Sequence, residues 1–147
     1  MRPSALRVLT ASALVVVLSA PVLARAAEPD VRREQVYMSQ LSLVLDGARR
    51  LFSFCEHHAG TPELAKFGYP LAERYVEMAT RMLPSPKLAV AHPHLLLVVE
   101  NLERALDAAT TGDTTGYQKR MRIAREEVAN LEAVLKQLKQ RPPEQVR

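Results

Sequence analysis

Few side chains here could bind or transform a ligand: four histidines, five methionines and one cysteine, with no tryptophan, in 147 residues. Thioether and imidazole together suit Cu(I). Met38, Met78, Met82, His92 and His94 supply both types, at segment ends that an antiparallel bundle would gather. They form a candidate copper site, although methionines at core spacing also read as flexible packing that fills gaps. Cys55, His57 and His58 fall at the opposite end and cannot share that ion. Cys55 reads as a buried small hydrophobe, or as a thiol open to an intermolecular disulfide in an oxidising compartment.

No other cofactor is implied. A di-iron bundle needs Glu-x-x-His on each of two helices. The residues three places before the histidines are instead Phe54, Cys55, Ala89 and Ala91. One cysteine cannot make a Cys-x-x-Cys-His haem attachment, and no histidine follows His94 to serve as an axial ligand on a last helix. Zinc-protease spacing is also missing. The chain therefore reads as non-catalytic.

Two further features suit binding rather than chemistry. Phe67-Gly68-Tyr69-Pro70 sets glycine and proline inside a helical period, where proline costs about 3 kcal/mol. A kink or a break there would leave a groove lined by Phe52, Phe54, Phe67, Tyr69 and Pro70, fit for an apolar ligand or a partner helix. The run Leu95-Leu96-Leu97-Val98-Val99 is apolar round more than one helix face. A lone bundle buries about a third of each helix, so Leu96, Leu97 and Val98 are a candidate interaction surface.

The elements that position these residues are helices. Met1 to Arg7 is basic, Val8 to Leu23 is apolar or small, and Ala24-Arg25-Ala26 has the small residues that signal peptidase needs. These are the parts of a secretory signal, with cleavage expected after Ala26 and no stable membrane span afterwards. The leader holds Arg2, Arg7 and Arg25 and no acid. Its removal leaves 17 basic residues of the original 20, against 16 acidic ones, a net +1. So balanced a surface offers no footprint for nucleic acid.

Four amphipathic segments follow, and no run alternates with the period of a strand. The first is expected to start after Asp30 and to present Met38, Leu41, Leu45, Ala48, Phe52 and Cys55 to a core. Thr61-Pro62-Glu63 opens the second, with the stripe Leu64, Phe67, Leu71, Tyr75, Met78 and Met82. His92-Pro93 opens the third, Gly112 ends it, and Asp113 or Thr114 caps the fourth. Tyr117, Met121, Ala124, Val128, Leu131, Leu135 and Leu138 give the fourth a coiled-coil-like heptad spacing. Four i,i+4 ion pairs are expected on outer faces: Asp46–Arg50, Glu77–Arg81, Glu100–Arg104 and Glu132–Lys136.

The expected organisation is a signal peptide over 1–26, an all-α, antiparallel up-down-up-down four-helix bundle over 27–141, and a disordered tail over 142–147. Its function is expected to be that of a periplasmic or secreted protein that binds another extracytoplasmic protein or itself. The alternative is a bundle that binds a small ligand or copper.

Overall fold

The computed structural model describes residues 20–58 and 61–138. Four α-helices pack against one another: α1 (Ala20–His58), α2 (Pro62–Thr80), α3 (His92–Thr110) and α4 (Thr114–Gln137). No strand occurs among the described residues. The first nineteen residues of the leader and the tail over 142–147 lie outside them. No described helix is long and apolar enough to cross a membrane.

The helix boundaries follow local chemistry. Thr61 is extended, at φ −119° and ψ 97°, and Pro62 begins α2 where a missing N–H costs nothing. The Thr61 side chain makes no capping bond. Pro93 sits in the first turn of α3. Gly112 ends that hairpin arm at φ +77°, a left-handed geometry that glycine adopts without penalty. Asp113 caps α4, its Oδ1 accepting from the Gly116 N–H at 2.9 Å.

Two boundaries differ from expectation. The first helix begins at Ala20, ten residues before Asp30. Ala24, Ala26, Ala27 and Glu28 are strong helix formers and carry the helix through Pro29, so a cut after Ala26 would fall inside α1. Pro70 does not break α2 either. Pro70 and Lys66 are both exposed, and on a solvent face water can bond a carbonyl that proline leaves without its helical partner.

The core is formed by two adjoining clusters. One joins Leu51, Phe52, Cys55, Ala65, Ala72, Leu102, Leu106, Tyr117 and Met121. The other joins Tyr37, Leu41, Leu45, Ala79, Met82, Leu88, Leu95, Val99, Leu131 and Leu135. Tyr75 and Val128 touch both. The backbone of α3 approaches those of α2, α4 and α1, so α3 is the central helix. Between α1 and α4 the bridges are made by side chains: Arg49 with Glu132, Arg125 with Glu56 at 2.6 Å, and the Tyr117 hydroxyl donating to the Cys55 carbonyl at 3.1 Å.

This arrangement corrects the reading of α2. Its buried face is the small one: Ala65, Gly68, Ala72 and Ala79. A Cβ added at Gly68 would lie 3.2 Å from methyl carbons of both Leu51 and Leu106, so only small residues fit there. Of the large residues expected in the core, Phe67 and Leu71 are exposed, and Leu64, Tyr75 and Met78 are half-buried. Met82 alone is buried, just beyond the helix end.

Candidate functional site

The methionines of the candidate copper set fall within the packing of the second cluster. Met82 is buried in the second cluster, and Met38 and Met78 pack against it half-buried. His92 Nδ1 and the Tyr37 hydroxyl are hydrogen-bonded at 3.1 Å, and burial holds the His92 pKa below its usual value. His94 faces the other way, donating from Nδ1 to Glu127 of α4 at 2.7 Å. Both histidines thus use one ring nitrogen within the bundle. Among the described residues no group of three or more His, Cys, Asp or Glu side chains could hold a metal ion.

The expected groove around Pro70 does not form as one site. Phe52 is buried in the core, Phe54 and Tyr69 are half-buried, and Phe67 and Pro70 are exposed. A half-open pocket lies elsewhere, where α1 ends and α4 begins. It has a volume of about 60 Å³ and is lined in part by Phe54, Cys55, His58, Ala65, Leu106 and Tyr117. A dry cavity that holds benzene is about 150 Å³, so the interior of this pocket is smaller than a closed site for even that ligand. Cys55 is buried beside it as a free thiol. Burial, with the Glu56 charge adding, pushes the thiol up to about 11. A thiol so hard to ionise is a poor nucleophile, as packing rather than reactivity would require.

The third-helix surface is corrected in part. Val98 is fully buried, because α3 is packed on three sides. Leu96 is half-buried, and Leu97 is 40% exposed. Most of the surplus apolar character of α3 is therefore absorbed inside the molecule. Asn101 marks the same crowding: it is buried, donates to the Leu97 carbonyl at 2.8 Å and accepts from Arg120 of α4 at 3.1 Å.

Large apolar side chains are exposed on α1 and α2, and at Leu83 and Val90 in the link between α2 and α3. Phe67 is 73% exposed and Leu71 52%, one turn apart on α2, and Leu43 on α1 is 61% exposed. Val36, two turns before Leu43, is also exposed. The two helices meet at Gly47 and Tyr75, where a Cβ on Gly47 would collide with the Tyr75 ring. Leu43 lies four residues before Gly47, and Leu71 four before Tyr75, so each shares a face with the meeting point. Charges of both signs flank this surface, with exposed Glu63 one turn before Phe67. Glu77 bonds both Arg74 and Arg81, each at 2.5 Å, and these two hold its carboxyl below the usual carboxylate range. Arg50 pairs with Asp46 at 3.0 Å.

Leu43, Val36 and the outward role of Leu71 were missed in the sequence. The signal was there: Ala65, Gly68, Ala72 and Ala79 also recur at helical spacing, and a helix with a large and a small stripe can bury either. No protein-family model matches this chain, and no curated protein or solved structure matches it.

Proposed function

We propose that this is a non-catalytic helical-bundle protein, exported to the periplasm or beyond, that acts by binding another extracytoplasmic protein. The leader is removed after Ala26, and residues 27–141 form an up-down-up-down bundle. Support for that topology comes from side-chain pairs that run in opposite order along neighbouring helices. Arg49 pairs with Glu132 and Glu56 with Arg125, while His94 pairs with Glu127 and Asn101 with Arg120.

The observation that carries the binding reading is the exposure of Phe67, Leu71 and Leu43 around the Gly47–Tyr75 contact. Large exposed apolar patches mark interaction sites, and Phe67 and Leu71 stand one turn apart on α2. These residues are held on rigid helices, so the surface is presented ready-formed. The copper alternative has less support, since its thioethers are committed to core packing and its histidines to Tyr37 and Glu127. The test is crosslinking in the exported protein from a photoreactive residue placed at Leu71. Capture of one partner, lost when Phe67→Ser is added, is the expected outcome.

A further inference from the structure

We draw no further inference here: the strongest candidate, the half-open pocket where α1 ends and α4 begins, has an interior of about 60 Å³ and rests on Cys55, a lone buried thiol, with no second group in its lining that points to a ligand.

Discussion

Gly47 is the residue whose role is sharpest. It lies in the interior of α1, where glycine is about 1 kcal/mol worse than alanine, and its hydrogen side lets the Tyr75 ring lie against the helix. Gly47→Ala should therefore destabilise the protein, by about 1–3 kcal/mol for forced overpacking. In a Tyr75→Ala background the same change should stabilise, by up to about 1 kcal/mol through helix propensity. Urea midpoints of the four proteins in this cycle measure the sign change. At this scale the sequence was partly legible. Three of the four expected i,i+4 pairs form: Asp46–Arg50, Glu77–Arg81 and Glu100–Arg104. Glu132 instead turns to Arg49 on α1, a choice made by the neighbouring helix and invisible to spacing along one helix.

At the scale of the element, α2 inverts the usual rule that large apolar residues go inside. Close approach to α3 and α1 leaves room only for Ala65, Gly68, Ala72 and Ala79, and the bulky stripe turns toward water. Substitution should follow the same inversion. Ala72→Leu should cost about 1–3 kcal/mol by overpacking, while Phe67→Ser should change stability by no more than about 0.5 kcal/mol. Thermal unfolding of the two variants checks this, and a larger loss for Phe67→Ser would show that Phe67 packs inward. Helix existence and most boundaries were readable, because Pro62, Pro93, Gly112 and Asp113 act locally. Which stripe of α2 is buried was not, since that depends on the distance to other helices. The burial of Val98 was hidden for the same reason: one helix read alone does not reveal that it has three neighbours.

For the whole molecule, buried titratable groups set the pH range of stability. Burial raises Cys55 from 9.0 to about 11, and Tyr37 and Tyr117 from 10.0 to about 12. The unfolded chain releases these protons first, so above about pH 9 it binds fewer than the folded one and stability falls as pH rises. His92 is shifted the other way, below 6.5. The unfolded chain then gains a proton first on acidification, and stability falls there too. Denaturant midpoints should be highest between those limits, and Tyr117→Phe should flatten the alkaline slope. The all-α class was legible from periodicity alone. The proposed binding face was not, because it is defined by what the core leaves out. The most direct measurement is crosslinking in the exported protein, comparing a photoreactive residue at Leu71 with one at Leu97. The expected result is one partner captured at Leu71, abolished by Phe67→Ser, with none at Leu97. Capture at Leu97 alone, or at neither position, would contradict a binding face on α1 and α2.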